Sequence, residues 1–326
     1  MSLTKFSNEL FEQKPHLLVI AGPTAVGKSA IAIALAKRLG GEVISADSMQ
    51  VYKGMDIGSA KVTQAEMEGV PHHLIDVMDP HEDYNVVRFQ QMAREAASDI
   101  LSRGKLPILC GGTGFYIQAF LYDIDFTEEP PAAQRARAAL EQALWQKAET
   151  EAGRAALHAE LTEKDPEAAL AIPEANVKRV IRALVFYALH GTRISEHNRQ
   201  QEARKLVASP YDFRFFVLTD DRAALYARID RRVDLMMENG LLNEVKALRE
   251  AGVARSSTAM QGIGYRELCA YLDGECTLME AQNQIKQNSR HYAKRQLTWF
   301  RREQKVCWIN RAETEDCIDE IIQHLW

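Results

Sequence analysis

Short apolar runs alternate along this chain with stretches that repeat apolar residues at helical spacing. His16–Ala21 is an apolar run that leads into Gly-Pro, and Lys28–Leu39 places its apolar residues on one helical face. Further buried strands are predicted at 42–46, 106–110 and 213–219, and a further helix at 86–103. Strands that alternate with helices in this way predict an α/β fold, with a parallel sheet flanked by helices on both faces.

The stretch 126–208 has no strand pattern. It is rich in Ala, Glu, Arg and Gln, and its apolar spacing is helical throughout. At about 80 residues it is too long for a plain loop. We therefore predict an all-helical insertion domain at 126–208, grafted on an α/β core that is formed by residues 1–125 and 209–326.

Charge is distributed unevenly along the chain. The 326 residues include 40 Lys and Arg against 45 Asp and Glu, and this net charge of -5 excludes a uniformly basic, histone-like protein. However, 175–208 carries 7 basic and 2 acidic residues, and 286–305 carries 7 basic residues and one acidic residue, interleaved with aromatic ones. Basic and aromatic residues together suit nucleic-acid contact, although a solvated helix face over core aromatics gives the same pattern.

Cysteine usage and hydropathy indicate the cellular environment. The 5 cysteines are odd in number and have no C-x-x-C spacing, which argues against a disulfide framework and a zinc finger. The longest uncharged run, 106–122, is broken by glycines and cannot form a membrane helix, and no secretory signal is visible. We expect a cytoplasmic protein without membrane contact.

The strongest chemical signal follows the first predicted strand and opens the first predicted helix. It matches G-x-x-x-x-G-K-[ST] with the residues Gly22, Pro23, Thr24, Ala25, Val26, Gly27, Lys28 and Ser29. Small residues let successive backbone N–H groups converge on an anion, Lys28 adds a full positive charge, and Ser29 can ligate Mg²⁺. This P-loop predicts a polyphosphate site and makes the expected fold P-loop NTPase-like.

The turn after 106–110 separates this chain from motor-type and switch-type NTPases. Those proteins usually place a Mg²⁺-binding carboxylate after the corresponding strand, whereas this strand runs into Gly111-Gly112-Thr113-Gly114. Such a turn admits the close approach of a substrate and presents the Thr113 hydroxyl, which favours group transfer. A glycine turn that is needed only for packing remains the alternative.

Asp47 ends the second predicted strand, at the sheet edge where open α/β folds bind ligands. A carboxylate there can act as a general base or hold a metal-bound water, and a helix N-cap is the structural alternative. His72 and His73 suggest a metal at first sight, but adjacent histidines point apart and a third ligand is lacking, so we expect a structural role.

Four arginines follow the fourth predicted strand at the same sheet edge. Arginines at this place are able to clamp a departing pyrophosphate, although each one alone is more often a surface residue. They are Arg222, Arg228, Arg231 and Arg232.

Taken together, the motifs resemble those of the bacterial tRNA dimethylallyltransferases, the IPP transferase family, in the same order over 18–301. They are G-P-T-A-V-G-K-S from Gly22, D-S-M-Q-V-Y-K-G-M-D-I-G-S-A-K from Asp47, P-H-H-L-I-D from Pro71, G-G-T-G-F-Y-I from Gly111, G-I-G-Y-R-E from Gly262 and K-R-Q-L-T-W-F-R from Lys294. The resemblance implies transfer of a dimethylallyl group from dimethylallyl pyrophosphate to N6 of adenosine 37, in tRNAs that read codons beginning with U.

The resemblance also implies roles for single residues. Asp47 would be the base at N6, Thr113 would steady the pyrophosphate end of the donor, and the P-loop would hold pyrophosphate with Mg²⁺, without consuming ATP. Arg222 and Arg228 would neutralise the leaving group. Contact with the anticodon stem-loop of tRNA is implied for Asp47, Ser48, Met49, Gln50, Thr113, Arg135, Lys178, Arg179, Val180, Ile181, Arg182, Gln261, Gly262, Ile263, Gly264, Tyr265, Arg266, Lys294 and Arg295. We expect the enzyme to be a monomer.

Three other functions are compatible with a P-loop. A P-loop kinase for a small metabolite would need ATP and a lid, and the basic cluster near the C-terminus argues against it. An isopentenyltransferase for free adenine nucleotides has little need for the inserted helices. A non-catalytic RNA-binding ATPase would keep the P-loop and the basic regions without needing Asp47 and Thr113 at the sheet edge.

Overall fold

The computed structural model describes residues 14–124, 131–205, 209–314 and 316–326. The chain divides into two compact units, Met1–Leu121 with Pro210–Trp326, and Tyr122–Ser209. The predicted domain boundaries at 125/126 and 208/209 include residues outside the described ranges. The segment 1–13, where no secretory signal is expected, also lies outside them. No helix in the described ranges is long and apolar enough to cross a membrane.

The first unit contains a six-stranded sheet in which every pairing is parallel, with the strand order β3-β2-β4-β1-β5-β6. The strands are β1 His16–Ala21, β2 Gly41–Ala46, β3 His72–His73, β4 Leu106–Gly111, β5 Asp212–Thr219 and β6 Cys307–Asn310. The helices of this unit are α1 Lys28–Leu39, α2 Gln64–Met67, α3 Val86–Ser102, α4 Gly114–Leu121, α10 Arg222–Glu238, α11 Leu241–Glu250, α12 Tyr265–Leu272, α13 Leu278–Phe300 and α14 Cys317–Gln323.

The predicted α/β fold is confirmed, and β1 and α1 have the predicted bounds. The strands predicted at 42–46, 106–110 and 213–219 each gain one residue, and the helix predicted at 86–103 ends one residue earlier. The two edge strands β3 and β6 are not predicted. They have two and four residues, and neither forms an apolar run of strand length.

The pairing register brings the ends of the central strands level. Ala21 of β1 is paired with Gly111 of β4, and Gly111 is also paired with Ala46 of β2. The segments that leave these three strands therefore begin side by side at the carboxyl edge of the sheet. They are the P-loop, the turn that follows Asp47 and the glycine turn that contains Thr113.

The opposite edge of the sheet carries a buried ion-pair network around Glu42, which is 1% exposed. Its carboxylate accepts hydrogen bonds from Arg103 and Lys105, and the Nε2 atom of His73 lies 2.8 Å from its Oε2. These partners, Arg103 foremost, hold the pKa of Glu42 well below its usual range. This contact with the buried Glu42 carboxylate gives His73 a structural role.

The second unit is helical throughout its described part, as predicted. Its helices are α5 Pro131–Lys147, α6 Glu151–Lys164, α7 Pro166–Ala171, α8 Val177–His190 and α9 Ile194–Lys205. Leu157 and Leu161 of α6 pack with Val180 and Leu184 of α8 in its core. The buried Asp165 caps α7 and accepts hydrogen bonds from the backbone and hydroxyl of Ser195 at the start of α9.

Candidate active site

The P-loop joins β1 to α1 through backbone conformations that favour glycine. Gly22 has φ 147°, and a Cβ atom there would lie 2.6 Å from the carbonyl oxygen of Leu218. Gly27 has φ 90°, and Ala25, at φ 63°, also adopts a left-handed conformation. These turns coil the loop tightly enough for successive N–H groups to converge on one anion.

Three cationic side chains hold the carbonyl groups of the P-loop. Lys28 Nζ donates to the Pro23 oxygen at 2.8 Å, and Arg228 Nε donates to the Ala25 oxygen at 3.1 Å. Arg311 Nη1 donates to the Val26 oxygen at 2.6 Å. All described peptide bonds are trans, so each N–H in the same peptide planes points away from the cation. The cations therefore fix these three planes. The Thr24 N–H of the plane held by Lys28 donates to Gln296, so the planes held by Arg228 and Arg311 are the ones that direct N–H groups, those of Val26 and Gly27, at the cradle.

Lys28 lies in an environment that disfavours its own charge. Burial lowers its pKa to about 8, and the nearby charge of Arg232 acts in the same direction, while Cys110 and Asp47 oppose the shift. Burial also lowers the pKa of Arg232, against the opposing effect of Glu66. Two partly desolvated cations beside a ring of N–H groups provide the electrostatics of an anion site. The Ser29 side chain is exposed at the same helix start.

Asp47 leaves β2 directly into a turn. Its Oδ1 accepts hydrogen bonds from the backbone N–H groups of Met49, at 2.8 Å, and Gln50, at 3.3 Å. Asp47 therefore caps a turn and no helix begins there, so the N-cap alternative is wrong. Nothing within the described ranges donates a hydrogen bond to Oδ2. One carboxylate oxygen is held by the turn, and the other remains able to accept a proton.

Tyrosines surround the Asp47 carboxylate. Burial, the largest effect, and the charge of Asp47 both raise the pKa values of Tyr84 and Tyr116, and they raise the pKa of Tyr292 to about 12. The Tyr292 hydroxyl lies close enough to Thr113 for that side chain to lower its pKa slightly. Nevertheless, the buried Thr113 Oγ1 has no hydrogen-bond partner of regular geometry among the described residues. The Thr113 N–H donates to the oxygen of Ala46 at 3.3 Å, so Thr113 and Asp47 lie side by side in one half-buried site.

The glycine turn is closely packed against the rest of the protein. A Cβ atom on Gly111 would lie 2.2 Å from the Ala46 oxygen, and one on Gly114 would lie 2.2 Å from the Trp299 ring. A Cβ atom on Gly112 would lie 2.1 Å from the Gln296 amide nitrogen. The packing alternative is therefore supported, because these glycines make room for the protein's own atoms, whereas the close approach of a substrate to this turn stays a prediction.

Gln296, on α13, links the glycine turn to the P-loop. Its Oε1 accepts the Thr24 N–H at 2.9 Å, and its Nε2 donates to the Gly112 oxygen at 3.0 Å. The side chain is 6% exposed. No local sequence pattern marks Gln296 for this role, because its two partners are 272 and 184 residues away and belong to different loops.

The arginines after β5 separate into different environments. Arg228 reaches the P-loop and also donates to Asp220 at 2.6 Å. Arg222 is exposed, and its guanidinium carbon lies 5.2 Å from the ring centroid of Tyr226. Arg228 thus reaches the P-loop, whereas Arg222 stacks on its own helix, and the expected role of both arginines at the leaving group stays a prediction.

The G-I-G-Y-R-E segment packs against the turn that follows Asp47. A Cβ atom on Gly262 would lie 2.7 Å from the Met49 sulfur. Tyr265 is fully buried and donates its hydroxyl hydrogen to Glu244 Oε1 at 2.7 Å. Gly262, Gly264 and Tyr265 are all buried in this structure, and the expected tRNA contact of this segment stays a prediction. Gln261 is exposed, and Ile263 and Arg266 are half-buried.

Glu244, on α11, also secures the loop that follows this turn. Its carboxylate accepts the backbone N–H groups of Asp56, Ile57 and Gly58 at 2.8, 2.7 and 3.0 Å. A Cβ atom on Gly58 would lie 2.6 Å from the Tyr265 ring, so the loop and the ring pack tightly. Glu244 is not predicted from the sequence, since a single glutamate on an amphipathic helix carries no distinguishing pattern.

In the second unit, α8 presents a basic face. Lys178, Arg179 and Arg182 are exposed on α8, whereas Val180 and Ile181 lie in the helical core at 1% and 2% exposure. Helical periodicity turns Val180 and Ile181 inward, so the side chains of this segment that face solvent are the basic ones, and the expected tRNA contact of the segment stays a prediction. Arg135 of α5 is exposed.

The basic residues of α13 divide into two groups. Lys286 and Arg290 pair with Asp234 and Asp230 of α10, so these two charges belong to a helix–helix contact. Further along, Lys294 and Arg295 are exposed. They line a pocket of about 460 Å³ whose residues are His291, Lys294, Arg295, Thr298, Trp299 and Arg302.

These features define a P-loop protein with an anion cradle, a neighbouring carboxylate and an exposed basic pocket at one sheet edge. The sequence model of the IPP transferase family matches residues 50–303 of this chain. The sequence model of the isopentenyl transferase family matches residues 15–81. The chain belongs to the IPP transferase family.

Individual relatives cover nearly the whole chain. A tRNA dimethylallyltransferase of Lachnoclostridium phytofermentans is 52% identical over 297 residues, which are 91% of this chain and 92% of the relative. The Bacillus subtilis enzyme of the same name is 49% identical over 303 residues, 93% of each chain.

Solved structures are similar as well. A tRNA isopentenylpyrophosphate transferase from Bacillus halodurans has a TM-score of 0.69 and 44% identity, over 95% of this chain and 94% of its own. A eukaryotic dimethylallyltransferase described as acting on tRNA has a TM-score of 0.75 and 30% identity, over 94% of this chain and 78% of its own.

Proposed function

We propose that this protein transfers the dimethylallyl group of dimethylallyl pyrophosphate to N6 of adenosine 37, in tRNAs that read codons beginning with U. The observation that carries this proposal is the placement of Asp47 beside the P-loop. A carboxylate with an available oxygen follows β2 and a cradle for a pyrophosphate follows β1, the two strands that flank β4, so an acceptor amine and an allylic donor can meet at this edge of the sheet. Family membership supplies the substrates.

In the proposed reaction, the P-loop holds the pyrophosphate of the donor. The N–H groups of the loop, Lys28 and Arg228 stabilise the negative charge that builds on the leaving group as the allylic C–O bond breaks. Thr113 steadies the donor near that bond, and the lack of a regular hydrogen-bond partner for its hydroxyl among the described residues supports this role. Pyrophosphate leaves with the bonding electrons, and no ATP is consumed.

Asp47 acts on the acceptor. The exocyclic amine of adenine is a weak nucleophile, so its N6 atom must be held in line with the allylic carbon while a proton is removed. As the N6–C bond forms, Asp47 Oδ2 takes the N6 proton, and Oδ1 stays bound to the turn at Met49 and Gln50. Adenosine 37 has to leave the base stack of the anticodon loop to reach this site.

The residues present fit a Mg²⁺ ion that is held mainly by the substrate. The described residues offer no cluster of three metal-binding side chains, and Mg²⁺ commonly takes one or two protein oxygens together with substrate phosphates and waters. The exposed Ser29 hydroxyl beside Lys28 would supply such an oxygen. When bound, Mg²⁺ would neutralise charge on the pyrophosphate.

The partner is the anticodon stem-loop of tRNA. The exposed cations Lys178, Arg179 and Arg182 of α8, together with Lys294 and Arg295 of α13, suit phosphate contacts. The half-buried Trp299 at the α13 pocket provides a flat ring next to those charges. We place the enzyme in the cytoplasm as a monomer.

Asp47→Asn tests the proposed base. Asparagine retains an Oδ1 acceptor for the turn but cannot take the N6 proton, so we expect the single-turnover rate of transfer to an anticodon stem-loop to fall by about 10²- to 10⁴-fold. Stem-loop affinity should stay unchanged. The control Asp221→Asn removes a carboxylate that caps α10 after β5, at the same sheet edge, and should keep the wild-type rate. A rate for Asp47→Asn within about tenfold of wild type would exclude Asp47 as the base.

A further inference from the structure

Arg311 lies outside every motif of the sequence analysis and outside the residues that the two family models match. It is the first residue after β6. Its backbone N–H donates to the Thr219 oxygen at 2.9 Å and continues the pairing of β6 with β5 beyond the end of the strand. This pairing carries Arg311 to the carboxyl edge of the sheet, where β5 lies beside β1 and the P-loop.

The Arg311 side chain contacts the centre of the P-loop. Its Nη1 donates to the Val26 oxygen at 2.6 Å, across 285 residues of sequence. A Cβ atom on Gly27 would lie 2.6 Å from the same nitrogen, so the guanidinium lies directly against Gly27. The φ of 90° favours glycine at this position, and a side chain there would displace the Arg311 guanidinium.

This contact fixes one peptide plane of the cradle. The Val26 carbonyl and the Gly27 N–H belong to the same planar trans peptide and point in opposite directions. Because Arg311 holds the carbonyl from outside, the Gly27 N–H is directed inward, away from the guanidinium. A charged donor on the carbonyl also polarises the peptide, which makes its N–H a stronger donor to an anion.

Arg311 also supplies a charge that does not depend on pH. The Lys28 ammonium has its pKa lowered to about 8 by burial, whereas a guanidinium stays protonated throughout the range in which proteins are stable. Above about pH 8 the cradle therefore keeps Arg311 and Arg228 as its permanent cations.

We propose that Arg311 is a positioning residue of the pyrophosphate cradle, which holds the Val26–Gly27 peptide so that its N–H binds the leaving pyrophosphate. The inference rests on the proposed function, because that function makes the pyrophosphate of the donor the ligand of the cradle. It assigns a role in donor binding to the C-terminal segment that follows β6.

The test compares Arg311→Met with Arg311→Lys, which keeps a charged donor. Inorganic pyrophosphate binding is measured by calorimetry at pH 7, and steady-state transfer is measured with an anticodon stem-loop RNA. For Arg311→Met we expect about a tenfold rise in both the pyrophosphate Kd and the KM for dimethylallyl pyrophosphate, with the KM for RNA unchanged. Arg311→Lys should recover most of the loss. The control Arg38→Met removes the ion pair with Asp319 of α14 and should match wild type.

The outcomes separate this inference from the proposed function. An unchanged pyrophosphate Kd in Arg311→Met, or an equal rise in the KM for RNA, would overturn the role of Arg311. If the wild type binds pyrophosphate but transfers nothing to RNA, the proposed function fails and the Kd values alone decide the inference. If Arg311→Met does not fold, Arg311→Gln, which keeps a neutral donor, takes its place. Its pyrophosphate Kd should rise by less than tenfold. A wild-type Kd for Arg311→Gln would contradict the proposal.

Discussion

Lys28 shows how a single residue prepares this protein for a polyanion. Its ammonium donates to the Pro23 carbonyl inside the loop, and burial lowers its pKa to about 8. Burying a cation costs desolvation free energy in the ligand-free protein, and this cost is offset when an anion binds next to the cation. Lys28, Arg228 and Arg311 therefore hold the loop and provide charge at the same time.

The lowered pKa of Lys28 predicts proton uptake on ligand binding. In the free protein at pH 9, above its pKa, Lys28 is mostly neutral, and an arriving pyrophosphate raises that pKa, so a proton is taken up. We expect up to about one more proton bound by wild type than by Lys28→Met. Calorimetry of pyrophosphate binding at pH 9, in two buffers of different ionisation enthalpy, measures this difference. Equal proton uptake by the two proteins would contradict the assignment.

At the residue scale, the sequence predicts local patterns and misses long-range contacts. The spacing from Gly22 to Ser29 identifies the P-loop because all of its groups lie in one short segment. Gln296 and Arg311 reach the same loop across 272 and 285 residues, and no local pattern marks them. Likewise, the inward turn of Val180 and Ile181 follows from helical periodicity, but motif matching assigned them to tRNA contact together with their exposed neighbours.

At the scale of elements, helices of the second half of the chain hold loops of the first half. Gln296 of α13 joins the P-loop to the glycine turn, and Glu244 of α11 gathers three N–H groups of the loop 56–58. The central strands and α1 are predictable because their apolar runs are long. The short edge strands β3 and β6 depend on pairing with strands that are already in place.

Glu244→Gln tests this arrangement of elements. A carboxylate accepts all three N–H groups and the Tyr265 hydroxyl, whereas an amide offers one oxygen and turns an NH₂ group toward remaining donors. We expect the free energy of unfolding in urea to fall by about 2 kcal/mol. Tyr265→Phe removes only the hydroxyl bond and should cost about 1 kcal/mol. Wild-type stability of Glu244→Gln would show that the loop does not depend on this carboxylate.

At the scale of the whole molecule, the charge distribution is more informative than the net charge of -5. The predicted basic cluster on α13 is only partly available, because α10 neutralises Lys286 and Arg290, while Lys294 and Arg295 remain exposed. The fold class and the helical character of the insertion are predictable from periodicity. Which charges face solvent is not, since ion pairs between distant helices are invisible to a count along the sequence.

The central claim is that this chain prenylates adenosine 37 of tRNA, and one incubation tests it most directly. Purified protein and Mg²⁺ are mixed with an unmodified anticodon stem-loop that carries A36-A37-A38, together with dimethylallyl pyrophosphate and without ATP, and the RNA is analysed by mass spectrometry. AMP serves as the alternative acceptor in a parallel reaction. We predict one five-carbon adduct, located on A37, and none on AMP. An adduct on AMP alone, or no adduct on either acceptor, would contradict the account.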